Sequence, residues 1–309
     1  MDNYKKFLVV IDPTSDEQPA LSRAFQLAAK TGASVHAFLS IYDFSYEMTT
    51  MLSVQEREAM RETVIDSQRD WLAEVLAKYQ TDVNCEIHVV WHNRPFEAVI
   101  HHALRCGMDL IIKATRAHDS LKSVIFTPTD WHLLRKAPVP VLLVKEHEWP
   151  ENGKVIAAVD AGNHEDSHAG LNQVIVKKAK NLASLINAET HLVNSYPGAP
   201  LNISVEIPDF DPESYNNAVK KHHESELRKL AEEAAINAEC CHVGEGLPED
   251  VIPAYARNID AELVVMGTVG RTGLSAALIG NTAEHVIDQL NCDVLAIKPE
   301  GFECPIKLG

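Results

Sequence analysis

The 309-residue chain is predicted to fold as two tandem α/β domains, each a parallel sheet with helices on both faces. Three observations carry that expectation. Runs that are apolar on both faces, such as Leu110-Ile111-Ile112 and Leu263-Val264-Val265, are suited to parallel strands covered on both sides. These runs alternate with segments whose apolar residues recur at spacings of three and four, the helical period. The second half also repeats the first at a constant offset of 153 residues, which aligns Pro95 with Pro248, Leu110 with Leu263, Thr115 with Thr268, His132 with His285 and Val141 with Val294.

In the first half, strands are expected at 6–12, 34–41, 85–91, 110–115 and 141–144, with helices near 17–31, 54–79, 95–106 and 130–136. In the second, strands are expected at 155–160, 189–194, 239–244, 263–267 and 294–297, with helices near 167–186, 212–235, 248–258 and 282–290. The charged stretch Lys145-Glu-His-Glu-Trp-Pro-Glu-Asn-Gly153 divides residues 1–147 from 153–309 and is short, so the halves are expected to sit against one another. Segments 42–53 and 195–212 both follow a second strand. They read as connecting loops, or as covers at the carboxyl edge of a sheet, where ligands of α/β folds bind.

Lys+Arg number 28 against Asp+Glu 44, a net charge of −16, so the long-range field repels polyanions and disfavours nucleic acid or anionic membrane as a partner. No apolar run approaches the roughly 20 residues that cross a bilayer. The opening apolar run ends at Asp12 and reads as a first strand, which leads to the expectation of a cytoplasmic protein. Six cysteines without a C-x-x-C pair read as reduced thiols.

The segment Gly267-Thr-Val-Gly270-Arg-Thr-Gly-Leu-Ser-Ala-Ala-Leu-Ile-Gly280 carries the chemistry. It follows a buried strand and opens a helix, where glycines allow close backbone approach and the helix N-terminus offers N–H groups to an anion. A structural turn is the alternative. It is not a P-loop, since no Gly-Lys-Ser/Thr occurs, and the dinucleotide spacing Gly-x-Gly-x-x-Gly is absent. The first half has Ala114, Ala117 and Thr127 where the second has Gly267, Gly270 and Gly280, and Pro128 where the second has Asn281. Asp12 and Asp160 each close a first strand, as a turn cap or as an acceptor for a ribose hydroxyl or adenine amine. The pairs His101-His102 and His222-His223 lie on helices, where neighbours point about 100° apart and cannot chelate one ion alone. In the first half His118 and His132 could converge with one of these pairs as a zinc site; the preferred reading of all of them is surface or satisfied core histidine, with no metal. Cys240-Cys241 reads as adjacent strand residues packed in the core.

Gly-x2-Gly-x9-Gly followed by a small polar residue, with an aspartate closing the first strand, resembles the ATP-binding signature of the universal stress protein family, over the whole chain as two copies. The resemblance implies Rossmann-like domains of the adenine nucleotide alpha hydrolase type, with five parallel strands in the order 3-2-1-4-5, so that strands one and four meet. It implies ATP, with Mg, in the second domain as a regulatory or sensing ligand in stress resistance. Asp160 and Ala161 would lie at the adenine or ribose end and Val193 against the base. Met266, Gly267, Gly270 and Gly280 would surround ribose and phosphates, Asn281 and Thr282 would donate to them, and Arg271 would reach a terminal phosphate or stay solvated. Asn281 departs from the family's usual Ser or Thr, although an amide also donates. The resemblance further implies pairing through the last strands, 141–144 and 294–297, and adds a homodimer as a partner. No nucleophile–base constellation is legible, so any enzyme activity is at most a slow ATPase. A further alternative is a scaffold whose first domain takes a lipid or metabolite.

Overall fold

The computed structural model describes residues 4–48, 52–117, 124–145, 148–162, 166–199, 210–268 and 280–308. They form two compact units, residues 1–146 with the tail 303–309, and residues 147–302.

The first unit runs β1 (Lys6–Val10), α1 (Pro19–Thr31), β2 (Ser34–Ile41), α2 (Ser45–Met48), α3 (Val54–Ala77), β3 (Cys85–Trp91), α4 (Pro95–Cys106), β4 (Leu110–Ala114), a small antiparallel pair β5 (Arg116–Ala117) and β6 (Val124–Ile125), α5 (Pro128–Lys136) and β7 (Val141–Val144). Its sheet is parallel in the order β3-β2-β1-β4-β7. The second unit runs β8 (Lys154–Ala158), α6 (Asp166–Leu185), β9 (Glu189–Tyr196), α7 (Pro212–Glu233), β10 (Cys241–Glu245), α8 (Pro248–Ile259), β11 (Leu263–Gly267), α9 (Asn281–Gln289) and β12 (Asp293–Ile297). Its parallel sheet has the order β10-β9-β8-β11-β12. Both are the expected 3-2-1-4-5 arrangement. Right-handed crossovers dictate the layers within each unit: in the first, α1 and α3 cover one face and α4 and α5 the other, and in the second, α6 and α7 cover one face and α8 and α9 the other.

The strands are apolar on both sides because both sides are covered. Leu8, Ile111, Ile112, Val264, Val265 and Leu295 are fully buried, each stabilising by about 1.5–3 kcal/mol relative to exposure. Helix ends follow local chemistry. Pro19 and Pro95 sit in the first turns of α1 and α4, and Gly32 and Gly107 end those helices in the left-handed region, at φ 71° and 60°.

Three expectations are corrected. Residues 42–53 are not wholly irregular: Asp43 accepts from the backbone N and the hydroxyl of Ser45 and starts α2, and Ser53 caps α3 in a capping box with Glu56. The strand expected at 239–244 begins later, because Asn237 caps a 3-10 turn over Ala238–Cys240 and β10 starts at Cys241. Cys240 and Cys241 are therefore not neighbours on one strand. The hairpin β5–β6 has no counterpart in the sequence reading. Most of segment 195–212 lies outside the described residues.

Candidate functional site

In each unit the sheet order reverses between its first and fourth strands, and in α/β folds the crevice that takes a ligand lies beyond the carboxyl ends at such a point. In the second unit Ala158 of β8 is in register with Met266 of β11. Asp160 and Gly267 thus leave adjacent strands at the same edge, and Val193 is paired with Ala158 on the other side.

The loop after β8 is held by side chains that the sequence reading passed over. Asn172 of α6 brackets Asp160: its Oδ1 accepts from the Asp160 N–H at 3.1 Å and its Nδ2 donates to the Asp160 carbonyl at 2.9 Å. Fully buried Asn194 of β9 accepts from the Ala161 N–H at 2.9 Å, and its Nδ2 lies 2.8 Å from Nδ1 of His223 on α7. The His223 ring covers Gly162 so closely that a Cβ there would stand 2.0 Å from it. Burial first, then neighbouring His222, lowers the His223 pKa against the opposing pull of Asp160. The legible signal was a polar residue, Asn194, within the buried run Leu192-Val193-Asn194.

On the other side, Val193 and Met266 are buried and Gly267 is partly exposed. A Cβ on Gly267 would meet the end of the Leu171 side chain of α6 at 2.8 Å, so a larger residue there requires that side chain to shift. Gly280 is the N-cap of α9 and offers no side chain to the first turn. Its N–H donates to the carbonyl of Thr268, and exposed Asn281 and Thr282 open the helix. The first N–H groups of a helix have no intrahelical acceptor, and the macrodipole adds positive potential. Such a helix start suits an anion, with Glu284 as the acidic residue of its first turn. Gly270 and Arg271 lie outside the described residues.

The same edge of the first unit is built differently. Thr127 caps α5, and Oδ2 of Asp130 accepts from the Thr127 N–H at 2.6 Å and the Thr127 hydroxyl at 2.8 Å. Oδ1 of the fully buried Asp130 faces Nζ of Lys113 at 2.7 Å. By the repeat, Lys113 stands where the second unit has Met266, Thr127 where it has Gly280, and Asp130 where it has Ala283. The first unit's helix terminus carries its own carboxylate. Asp12 is a turn cap there, accepting from the backbone N and the hydroxyl of Thr14.

Away from the crevice, His102 of α4 meets His36 of β2 and His88 of β3, not His132. His36 Nδ1 lies 3.0 Å from His102 Nε2, and one nitrogen from each of the three rings falls within 4.8 Å of the others, a donor set able to hold a metal ion. Burial first, then the neighbouring imidazoles, pushes His102 down to about 4. His132 stacks on Phe96 at 4.0 Å, and His118 lies outside the described residues. The three residues come from separate elements, so no sequence spacing announces them. None of the six cysteines, all of them described residues, is in a disulfide.

The sequence model of the universal stress protein family matches residues 3–145 and again 151–298. The chain is 51% identical over 311 residues to universal stress protein E of Escherichia coli K12, covering 100% of this chain and 98% of that one. It is 40% identical to a universal stress protein E homolog of Haemophilus influenzae, covering 96% and 98%. Among solved structures, a functionally unknown protein from Pseudomonas aeruginosa PAO1 is similar at 32% identity and a TM-score of 0.74, over 97% of this chain and 94% of that one.

Proposed function

The chain belongs to the universal stress protein family, and from that premise we propose that its second unit binds ATP as a regulatory or sensing ligand in stress resistance. One observation supports this above the others: the first turn of α9 is left open by Gly280 at the switch-point crevice, whereas its counterpart is closed by Thr127 and Asp130. An open helix start, facing an aspartate across adjacent strands, suits a nucleotide with its phosphates at the helix and its ribose or base at the aspartate.

In this reading Asp160 and Ala161 take the ribose or adenine end, and Val193 packs against the base. Met266, Gly267 and Gly280 line the ribose and phosphates, with Gly270 and Arg271 on the loop between. Asn281 and Thr282 donate through the backbone of the first helical turn and through their side chains. Mg accompanies the phosphates. Asn172, Asn194 and His223 act indirectly, holding residues 160–162 in place, so that less ordering entropy is lost on binding. The first unit takes no nucleotide in this reading, because the Asp130 carboxylate, bonded to Thr127 and paired with Lys113, already occupies its helix start. The protein acts in the cytoplasm.

Thermal unfolding with and without ATP-Mg tests the reading, since a ligand at about 100 times its Kd adds about 2.7 kcal/mol. A rise in Tm for the native chain that is lost in Gly267→Val is expected. An unchanged Tm at millimolar ATP-Mg would overturn it.

A further inference from the structure

A second cluster lies in the second unit, where β9 begins and the 3-10 turn leads into β10. Glu189, His191 and Cys240 converge there, with one donor atom from each within 4.8 Å of the other two. Nε2 of His191 is 3.0 Å from Oε2 of Glu189, and Sγ of Cys240 donates to Oε1 of the same carboxylate at 3.3 Å. Cys240 and His191 are buried, while the Glu189 carboxylate reaches solvent. The other His191 nitrogen, Nδ1, is hydrogen-bonded to the Tyr255 hydroxyl at 3.2 Å. That contact orients the ring so that Nε2 addresses the cluster, the role second-shell partners play for metal-bound histidines.

A buried cysteine is ordinarily packed as a small hydrophobe. Here its sulfur is turned to a carboxylate beside an imidazole. Sulfur, imidazole nitrogen and carboxylate oxygen form the mixed donor set that zinc-class cations take, with a water completing a tetrahedron. Ligand atoms about 2.0–2.3 Å from such an ion stand about 3.3–3.7 Å from one another. The donor atoms, all within 4.8 Å of one another, reach that spacing by small side-chain adjustments, in which the solvent-exposed Glu189 carboxylate takes part.

The first unit adds an independent observation. His191 is the third residue of β9, as His36 is the third residue of β2, and Tyr255 aligns with His102 by the repeat. Both units therefore gather a metal-ligating set around the third residue of the second strand, three imidazoles in the first and, displaced from the positions of His88 and His102, a thiol-containing set in the second. We propose that Glu189, His191 and Cys240 bind a divalent cation of the zinc class, at a site separate from the nucleotide crevice.

Cobalt(II) titration of the full-length, reduced and metal-stripped protein tests this, because a thiolate ligand gives a near-ultraviolet sulfur-to-cobalt charge-transfer band that imidazole ligands do not. The band is expected in the native chain at one equivalent. It should vanish in Cys240→Ser and persist in His102→Ala, which removes a first-unit ligand only. Glu189→Gln, an exposed side chain whose change leaves the fold intact, is expected to weaken cobalt binding at least 10-fold. No band in the native chain at saturating cobalt, an undiminished band in Cys240→Ser, or unchanged affinity in Glu189→Gln would each overturn the proposal.

Discussion

Nζ of Lys113 lies 2.7 Å from Oδ1 of Asp130, a buried ion pair at the start of α5 where the second unit has Met266 and Ala283. Asp130 also closes the capping box with Thr127. Breaking a buried pair strands the remaining charge, and losing the box uncaps the helix, so Asp130→Ala is expected to destabilise the first unit by about 3 kcal/mol. Urea unfolding checks this as a lower midpoint at unchanged m. Lys113→Met/Asp130→Ala, which reproduces the second unit's residues, should cost less than Asp130→Ala alone.

Gly267 is confined by Leu171, at 2.8 Å from a would-be Cβ. Gly267→Val is expected to force the Leu171 side chain aside and overpack the α6–β11 contact, costing about 1–3 kcal/mol of stability and at least 10-fold in nucleotide affinity. Leu171→Ala in the same chain should recover part of the stability. If the double variant is no more stable than Gly267→Val, the contact does not explain the glycine.

Asn194 has no exposure and serves both Ala161 and His223. Asn194→Ala leaves those groups without their partner, and a loss of about 1–3 kcal/mol is expected, with weaker nucleotide binding. Amide exchange at Ala161 should speed up in the variant.

The fold was legible to within a few residues because buried parallel strands and amphipathic helices carry unmistakable periods, and the offset of 153 residues made each half a check on the other. The glycine positions were legible as turns: Asp160 and Gly267 follow neighbouring strands and Gly280 precedes a helix. What stayed hidden depends on tertiary proximity. Lys113 and Asp130 are 17 positions apart in sequence, and His36, His88 and His102 come from two strands and a helix. No local period links them. The late start of β10 was missed because the Asn237 cap competes with strand formation through a side-chain-to-backbone hydrogen bond.

Burial holds His102 down to about 4 and also lowers His36. The folded state keeps these rings neutral, whereas the unfolded chain protonates them near 6.5. The unfolded state therefore binds more protons between about 6.5 and 4, and stability present above that window is lost as pH falls through it. With solvent screening allowed for, about 1–2 kcal/mol is expected between pH 7.5 and pH 4.5 in chelator-treated protein. Urea midpoints across that range check it, and His102→Gln should flatten the slope.

Asp260 ends α8 in the left-handed region at φ 53°, where the first unit has Gly107 at φ 60°. A side chain is disfavoured there, so Asp260→Gly is expected to stabilise the second unit by about 0.5–1 kcal/mol. Thermal unfolding would register this as a small rise in Tm.

The asymmetry between Thr127 with Asp130 and Gly280 with Ala283 is most directly tested by the stoichiometry of ATP binding. Isothermal titration calorimetry of the full chain with ATP-Mg should give one site, abolished by Gly267→Val and unaffected by Asp130→Asn. Two equivalent sites, or a single site that survives Gly267→Val, would contradict the assignment of the nucleotide to the second unit.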